Sequence, residues 1–424
     1  MNHLIANFET LGINPARKDA LSIIEAGYNA IDTTLAVKNT ILLEGDILSI
    51  KGNKFNIEKY KRIFLIGFGK ASCKAVQAIE DVLGNKLNGG VVIDKDLTTT
   101  CCKVVQVYKG THPLPSKENV EASQKIVDLA KDATENDFVI VVVSGGGSAL
   151  LCFPMSEWEQ GNNLYKTFLH TGGTIKELNT LRKHTSEIKG GGLAKMLYPA
   201  TVVSLILCDI PGNNYEDTAS GPTYFDNTSV KDAEKLIEKY SLANIFTFNE
   251  TPKDSVYFEK VTNIPFISNK EALQAMSDVA TKLGYEVTSL GEEMYDTPNV
   301  MLEKMKKALK PHSIVLAGGE LALTLKKEGG IGGRNFFTCG QAIESIDDKD
   351  VFVAFASDGV DNLSISAGAI VDIETKNKIK EKNILLSDFM DKDKYDELFT
   401  LLGDNIITGP TGSNVSDLYL MLRQ

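Results

Sequence analysis

The sequence predicts an α/β protein built from two domains, each with a mainly parallel sheet flanked by helices. Short apolar runs of strand length alternate with helix-type patterns in both halves, and glycine-rich turns follow several of the runs. A length of 424 residues allows more than one domain of typical size. Because the segment 223–263 is mostly polar and irregular, we expect a Rossmann-like domain over 1–240 and a second α/β domain over 241–424.

The individual elements follow from the spacing of the apolar residues. In the first domain we predict strands at 62–66, 89–94, 138–143 and 201–208, and helices at 19–34, 75–83, 119–133 and 230–240. In the second domain we predict strands at 261–268, 313–317 and 351–356, and a helix at 273–283. A last helix is expected from the spacing of Leu418, Leu420 and Met421.

The composition is that of an ordinary globular protein, with 43% hydrophobic and 24% charged residues. A net charge of −11 argues against nucleic-acid binding, which needs a basic surface. No apolar run reaches the ~20 residues of a membrane-spanning helix, and the N-terminus lacks the pattern of a signal peptide. The six cysteines form no C-x-x-C pair, so we expect reduced thiols and a cytoplasmic protein.

The central glycine turn follows the run 138–143, which is typical of a strand buried on both faces. The turn consists of Ser144, Gly145, Gly146, Gly147 and Ser148. Glycines after a strand and before a helix allow backbone N–H groups to approach an anion, although a turn without function has the same composition. A serine hydrolase is excluded, because Leu150 stands where the G-x-S-x-G motif needs its last glycine.

A second strand–turn–helix unit carries Lys70 in the sequence GFGKAS. It is not a P-loop, since Phe64 stands where the first glycine belongs and Ala71 where Ser or Thr is needed. It also lacks the third glycine of a dinucleotide fingerprint, because Ser72 occupies that position. A cation at the start of a helix opposes the helix dipole, so Lys70 favours an anionic partner over a merely solvated lysine.

A capping box of Thr174 and Glu177 predicts the start of a helix. Asn179, Arg182 and Lys183 then share one helix face, because they lie three and four residues apart. Two cations and an amide suit a carboxylate or a phosphate, and a solvated helix face is the alternative.

Asp209 follows the strand predicted at 201–208. A carboxylate just beyond the end of such a strand is a usual metal ligand or general base. His112, in the connection THPLP, could act as a base, but a histidine next to proline in a loop more often has a packing role.

The second half of the chain contains further candidate ligand loops. They are Gly318-Gly319 after a predicted strand, the loop 328–335 that ends with Arg334, and the loop 408–415 that contains Thr411, Gly412 and Asn414. Arginine presents a planar fork to phosphoryl groups. Each loop taken alone could equally be exposed and without function.

Several longer motifs occur in a fixed order along nearly the whole chain. They are GFGKAS, THPLP, SGGGSALL, TIKELNTLRKHTSEIKGG, TASGP, GGRN, ASDGVDN, AGAIVD and TGPTGSNVSDLYLML. Together they resemble the class II glycerate kinases, the glycerate 2-kinases whose C-terminal part is called the MOFRL domain. The resemblance implies ATP- and Mg²⁺-dependent phosphorylation of D-glycerate at the 2-hydroxyl, giving 2-phosphoglycerate, in an active-site cleft between two α/β domains.

The resemblance also suggests roles for particular residues. The lysine of the family's G-x-G-K-A motif falls on Lys70, and the arginine of its G-G-R-N motif falls on Arg334. Both would approach the transferred phosphoryl group, while Asp209 would serve as base or metal ligand. We expect glycerate to be held by the 144–148 turn with Asn179, Arg182 and Lys183, and the nucleotide by Gly318, Gly319, Thr411, Gly412 and Asn414.

The sequence departs from the family pattern at Ile331, at Phe336-Phe337, at Asn213-Asn214 and at Gly192. These departures leave the preferred acid and nucleotide open. A hydroxypyruvate reductase dependent on NAD(P)H and a sugar-acid-binding protein without catalysis are the alternatives. We expect small-molecule ligands, no nucleic-acid or membrane partner, and a monomer or homodimer.

Overall fold

The computed structural model describes residues 3–95, 102–168, 170–210, 212, 214–242, 246–323 and 330–424. Asn213 and the positions 328–329 of the arginine-containing loop lie outside these ranges. Within the described ranges, no helix combines the length and the apolar composition needed to cross a bilayer.

The α-helices of the described ranges follow one another along both halves of the chain. They are α1 Phe8–Leu11, α2 Pro15–Ile31, α3 Thr33–Thr40, α4 Ser72–Leu83, α5 Lys117–Lys131, α6 Gly147–Leu150, α7 Met155–Phe168, α8 Ile175–His184, α9 Gly192–Leu197, α10 Val230–Lys239, α11 Asn269–Lys282, α12 Pro298–Ala308, α13 Arg334–Ser345, α14 Ile373–Glu381, α15 Ser387–Met390 and α16 Tyr395–Leu402. Short 3₁₀ turns cover Gly84–Lys86, Tyr215–Ser220 and Ser255–Phe258.

The strands alternate with these helices, as the apolar runs predict. They are β1 Ile41–Glu44, β2 Ile47–Ile50, β3 Asn53–Asn56, β4 Arg62–Phe68, β5 Gly89–Asp94, β6 Gln106–Lys109, β7 Asp137–Ser144, β8 Thr201–Leu207, β9 Val261–Ile267, β10 Glu286–Ser289, β11 Ser313–Gly319, β12 Asp350–Ala356, β13 Gly368–Val371, β14 Asn405–Ile406 and β15 Asp417–Arg423. The α/β class is therefore confirmed.

The chain folds into two compact units. The parallel-sheet unit comprises the described residues of Thr33–Ile210 and Asn214–Phe266. The mixed-sheet unit comprises those of Met1–Asp32, 211–213 and Ile267–Gln424. This division differs from the expected boundary between 240 and 241, above all because the N-terminal segment belongs with the C-terminal half.

Packing of α2 accounts for that difference. A side chain on Gly27 would place its Cβ 2.9 Å from Cγ of Met276, so α2 and α11 are in close backbone contact. The Tyr28 hydroxyl donates a hydrogen bond of 3.0 Å to the carbonyl of Ala356, at the end of β12. These contacts join residues far apart in sequence, which no local pattern indicates.

The parallel-sheet unit is built on a six-stranded sheet in the order β6-β5-β4-β7-β8-β9. Neighbours from β6 to β8 pair in parallel, so their carboxyl ends lie at one edge of the sheet. The central strand β7 is buried along its whole length, as predicted for the run 138–143. The turns after β4, β7 and β8 are consequently neighbours. A separate antiparallel sheet is formed by β1, β2 and β3.

The mixed-sheet unit contains a six-stranded sheet in the order β10-β11-β15-β12-β13-β14. Only β10 and β11 pair in parallel, and every other neighbouring pair in this sheet is antiparallel. The sheet thus differs from the parallel arrangement expected for the second half. The reason is that β15, which is the last element of the described chain, is inserted antiparallel between β11 and β12.

The helix predicted from Leu418, Leu420 and Met421 is wrong, since these residues belong to the strand β15. All of β15 up to Leu422 is buried, because neighbouring strands cover both edges and the core covers both faces. A short run that is apolar at every position carries no period that separates a buried strand from a helix. Its length of seven residues is typical of a strand and too short for most helices, so length is the better indicator here.

A buried charge network anchors α2 within the mixed-sheet unit. The Arg17 guanidinium is fully buried and pairs with Asp372 at 2.6 Å and with Asp404 at 2.7 Å. Its Nη2 also donates to the Thr375 hydroxyl at 3.0 Å. Removing the cation would leave the buried Asp372 without its charged partner, while Asp404 would keep only Lys378 at 2.7 Å, which is far more costly than losing a surface ion pair.

We therefore predict that Arg17→Leu lowers the free energy of unfolding by about 3–5 kcal/mol. Urea denaturation followed by far-ultraviolet circular dichroism measures the change. The matched control is Lys18→Leu, which removes the same charge from an exposed position of the same helix. Equal stability of the two variants would contradict the structural role of Arg17.

Candidate active site

Two strand-end turns are in direct contact in the parallel-sheet unit. The Lys70 N–H donates to the carbonyl of Gly145 at 2.8 Å, and the Ser144 hydroxyl donates to the carbonyl of Lys70. Gly69 has a positive φ of 113°, and a Cβ at this position would lie 2.4 Å from the Ser144 carbonyl oxygen. Only glycine therefore permits this contact, which fixes Lys70 beside the central glycine turn.

Asp209 lies against the same turn. Its Oδ2 would be only 2.0 Å from a Cβ on Gly145, so the carboxylate occupies the space that a side chain would need. Burial raises the pKa of Asp209, and the positive charge of Lys70 opposes this rise. A carboxylate with a raised pKa is better suited to accept a proton near neutral pH. The structure thus brings together Lys70, the glycine turn and Asp209, as the sequence predicted.

Gly147 has a packing role within the turn. A Cβ here would lie 2.6 Å from Cβ of Ala219 and 3.2 Å from the ring of Phe68. The helix α6 that begins at Gly147 has four residues, which is a single turn. Close packing alone therefore accounts for glycine at this position.

His112 lies over Gly146, the left-handed residue of the turn. A Cβ on Gly146 would be 3.1 Å from His112 Nε2 and 3.3 Å from Cγ of Lys70. Burial, and then the positive charges of Lys70, Lys95 and Arg182, lower the pKa of His112 to about 4. The imidazole is therefore neutral at physiological pH, in a strongly cationic environment.

Arg182 and Lys183 have different environments despite their shared helix face. The Arg182 guanidinium stacks over the ring of Tyr165, 5.5 Å from its centroid, and makes no ion pair with any residue of the described ranges. Burial lowers its pKa. Lys183 instead faces two carboxylates, Asp226 at 3.4 Å and Asp217 at 3.7 Å. Of the two cations, only Lys183 forms an ion pair within the described ranges.

Asn179 is buried and connects α8 to the glycine turn through hydroxyl groups. Its Oδ1 accepts from the Ser220 hydroxyl at 3.1 Å, and Ser220 lies 2.9 Å from the Ser148 hydroxyl. The predicted capping box is present, since the Thr174 hydroxyl accepts from the Glu177 N–H and the Glu177 carboxylate accepts from the Thr174 N–H. Asn179 is therefore connected to Ser148 of the turn through the Ser220 hydroxyl.

The mixed-sheet unit contains a pocket of about 390 Å³. Its lining includes Arg334 and the carboxylates of Glu320, Asp358, Asp361 and Asp417. The Arg334 Nε lies 2.9 Å from Asp417, and its Nη2 lies 3.6 Å from Glu320. Burial lowers the pKa of Arg334, but these two carboxylates outweigh it and leave the pKa raised.

Asp361 closes the N-terminal end of α13. Its Oδ2 accepts from the backbone N–H groups of Gly333 and Phe336, each at 2.9 Å, and its Oδ1 accepts from the Asn335 amide at 3.2 Å. The donors that a helix start offers to a phosphate are thus already used by this carboxylate. Burial, and then the charge of Asp417, raises the pKa of Asp361 to about 7.

Gly318 and Gly319 are explained by packing. A Cβ on Gly319 would lie 2.4 Å from the backbone of Met294, with which it forms a β-bridge. A Cβ on Gly318 would be 3.2 Å from Asn269 and from Leu273. Neither glycine lines the pocket beside Arg334.

The C-terminal glycine loop contributes one residue to that pocket, Asn414. The Asn414 side chain also accepts from the Ser416 N–H at 3.0 Å. Thr411 donates to the carbonyl of Ser357 at 2.7 Å, which ties the loop to the end of β12. Gly412 has a φ of 76°, so glycine is favoured there by the backbone.

Sequence reasoning missed the acidic character of this pocket. The signal was present, because Asp358 and Asp361 follow the predicted strand 351–356 at the position where strand-end carboxylates often bind ligands. Asp417 was less visible, since it begins an apolar run. Among the described residues, no group of three or more His, Cys, Asp or Glu side chains is arranged to hold a metal ion.

The raised pKa of Asp361 predicts a pH-dependent stability. Above its unfolded-state pKa of about 4, the unfolded chain has lost a proton that the folded protein keeps up to pH ~7. The free energy of unfolding contributed by Asp361 therefore falls between about pH 4 and 7, by at most about 1.4 kcal/mol per pH unit.

Urea denaturation at pH 5 and pH 7.5 tests this for Asp361→Asn, which lacks the titration. The stability of wild type relative to the variant is expected to be greater at pH 5 than at pH 7.5. Asp388→Asn, at an exposed position, is the control and should show no such change. A pH-independent difference for Asp361→Asn would contradict the raised pKa.

Comparison with known proteins covers nearly the whole chain. Residues 19–248 match the domain of unknown function DUF4147, and residues 313–417 match the MOFRL family. The chain is 31% identical to a glycerate 2-kinase from Pyrococcus horikoshii, across 96% of this chain and 97% of the relative. It is 32% identical to a glycerate 2-kinase from Picrophilus torridus, across 99% of both.

A relative from Agrobacterium vitis carries a provisional hydroxypyruvate reductase name, with 30% identity across 85% of this chain and 99% of the relative. A crystal structure of glycerate kinase from Thermotoga maritima is similar in fold, with a TM-score of 0.81 and 27% identity over 96% of this chain and 99% of that one. The chain therefore belongs to the glycerate 2-kinase family, with a DUF4147 region followed by a MOFRL region.

Proposed function

We propose that the protein transfers the γ-phosphoryl group of ATP to the 2-hydroxyl of D-glycerate, giving 2-phosphoglycerate and ADP. One observation carries the proposal most strongly: a cation and a carboxylate with a raised pKa share the same glycine turn. Lys70 is bonded through its backbone to Gly145, and Asp209 packs against that glycine. Phosphoryl transfer needs such positioning and charge neutralisation, and little covalent chemistry from the protein.

The acceptor carboxylate is assigned to the cations of the parallel-sheet unit. Neither the Lys70 ammonium nor the Arg182 guanidinium forms an ion pair in the described ranges, whereas Lys183 forms two. An unpaired and partly buried cation gains most from an incoming anion, because no internal ion pair must first be broken. Lys183 is therefore a weaker candidate than Arg182 for direct substrate contact.

Asp209 is assigned as the base that accepts the proton of the 2-hydroxyl as its oxygen attacks the γ-phosphorus. Its raised pKa moves it towards the range in which a carboxylate is an effective base. The positive charge of Lys70 opposes the effect of burial on the pKa of Asp209 and so favours the ionised carboxylate, which is the form that accepts a proton.

Arg334 and Asn414 are assigned to the nucleotide phosphates, on the basis of their shared pocket. The ion pairs of Arg334 with Asp417 and Glu320 orient the guanidinium, and an incoming phosphate would compete with them. The carboxylates of the pocket disfavour a free polyphosphate, so the nucleotide would bind as its magnesium complex.

Mg²⁺ usually takes one or two protein carboxylates and completes its coordination with water and phosphate oxygens. The absence of a three-residue metal cluster in the described ranges is compatible with that mode. We assign Asp358 of the pocket to the cation and keep Asp209 as the alternative ligand. When bound, Mg²⁺ neutralises charge on the phosphate oxygens during transfer.

A nicotinamide-dependent reductase is disfavoured by the turn after β4. In the dinucleotide fingerprint the third glycine allows close packing of helix and strand. Here Ser72 occupies that position, and its hydroxyl donates to the carbonyl of Gly69 at 2.7 Å. A binding protein without catalysis would need no carboxylate of raised pKa against the substrate turn.

The proposal predicts ADP release that depends on D-glycerate, ATP and Mg²⁺, with no oxidation of NADH or NADPH by hydroxypyruvate. Phosphorus NMR of the product distinguishes the 2-phosphate from the 3-phosphate. Lys70→Ala and Arg334→Ala should each lower kcat by roughly 10²–10³-fold, the scale for losing one donor to the transition state.

The matched controls are Lys125→Ala and Lys307→Ala, which remove exposed cations from α5 and α12. Near-normal turnover by a folded Lys70 or Arg334 variant would contradict the assigned role of that residue. Hydroxypyruvate reduction without glycerate-dependent ADP release would contradict the kinase function itself.

A further inference from the structure

The loop that carries His112 is held firmly by one buried side chain. Asn119 accepts from the Thr111 N–H at 2.8 Å and donates to the Thr111 carbonyl at 2.9 Å. The same amide donates to the carbonyl of Ala149 at 2.8 Å, directly after the glycine turn. Asn119 is fully buried. The backbone next to His112 is thus joined to the turn by one amide group.

The other end of the loop is fixed by α7. The carbonyl of Pro115 accepts from the Trp158 indole N–H at 3.1 Å and from the Asn162 amide at 3.2 Å. His112 therefore lies between two anchored points. The backbone on both sides of His112 is held in place, so mainly the side-chain torsions of His112 are free to rotate. Binding a ligand would therefore cost the ring little conformational entropy.

The ring itself has no partner of its own. Neither nitrogen of His112 forms a hydrogen bond or ion pair with any residue that the structure describes, although the side chain is half-buried. Its ring is next to Gly146 and the aliphatic part of Lys70. A held imidazole with unused hydrogen-bonding capacity, facing a substrate turn, is suited to contact a ligand.

The charge state of the ring defines what kind of group it can recognise. Burial together with the charges of Lys70, Lys95 and Arg182 leaves His112 neutral at physiological pH. A neutral imidazole offers one donor and one acceptor, which matches a hydroxyl group. The surrounding cations already supply the charge that a carboxylate needs.

Resting on the glycerate kinase function proposed above, we propose that His112 hydrogen-bonds the 3-hydroxyl of the acceptor and so selects glycerate over 2-hydroxy acids that lack this group. The proposed function already assigns partners to the other polar groups of the acceptor, with the cations for its carboxylate and Asp209 for the reacting 2-hydroxyl. The terminal hydroxyl is the group left without an assigned partner, and His112 is a polar side chain beside the turn whose ring nitrogens have no partner among the described residues.

The test compares kcat/KM for D-glycerate and for D-lactate, which lacks the 3-hydroxyl, in wild type and in His112→Phe. A site that hydrogen-bonds a substrate hydroxyl discriminates strongly against the analogue without it. We expect His112→Phe to lower kcat/KM for glycerate by roughly 10–100-fold. The value for lactate, or its inhibition constant against glycerate if turnover is too slow, should stay within about threefold.

Two further variants keep the test decisive. His112→Gln retains a donor and an acceptor and should keep part of the preference for glycerate, whereas His170→Phe changes an exposed histidine of the same unit and should keep all of it. If His112→Phe leaves the ratio of the kcat/KM values for glycerate and lactate unchanged, whether both values fall equally or neither falls, the role of His112 is overturned while the kinase function is not. Failure of wild type to phosphorylate glycerate would overturn both.

Discussion

Contact between the Gly69–Lys70 turn and the Ser144–Gly145 turn is the constraint on which the candidate site depends. Because Gly69 and Gly145 have no side chains, the turns that follow two parallel strands can approach closely and form hydrogen bonds with each other. The carboxylate of Asp209 fills the space beside Gly145. Lys70 and Asp209 are far apart in sequence, and this contact is what makes them neighbours.

The candidate ligand-binding cations differ between the two units in whether they form ion pairs within the described ranges. In the parallel-sheet unit, Lys70 and Arg182 form no ion pair within the described ranges, although Asp209 feels the charge of Lys70, so an anion can bind without breaking an ion pair. In the mixed-sheet unit, Arg334 is ion-paired to Asp417 and Glu320, and the start of α13 is occupied by Asp361. If Arg334 binds the nucleotide as proposed, the phosphate would exchange with an existing partner, which favours a nucleotide accompanied by a cation.

Much of the parallel-sheet unit could be predicted from the sequence, because its strands are continuous apolar runs and its turns are marked by glycine. The placement of the 144–148 turn, Lys70 and Asp209 just after the ends of their strands was predicted in this way. Long-range packing could not be found: α2 joins the mixed-sheet unit through Arg17 and Tyr28, and β15 forms a central strand where spacing suggested a helix. Glycine-rich composition also could not separate a ligand loop from packing, since Gly319 lies against the backbone of Met294 and Gly318 against side chains.

The most direct test of the Asp209 assignment is the kcat of Gly145→Ala for glycerate phosphorylation. The added Cβ would lie 2.0 Å from the Asp209 carboxylate, so that carboxylate must move. We expect kcat to fall by about 10²-fold or more, with a melting temperature close to wild type. Gly161→Ala adds a methyl group in open space on α7 and should leave kcat unchanged. A folded Gly145→Ala protein with wild-type kcat would contradict the role of Asp209.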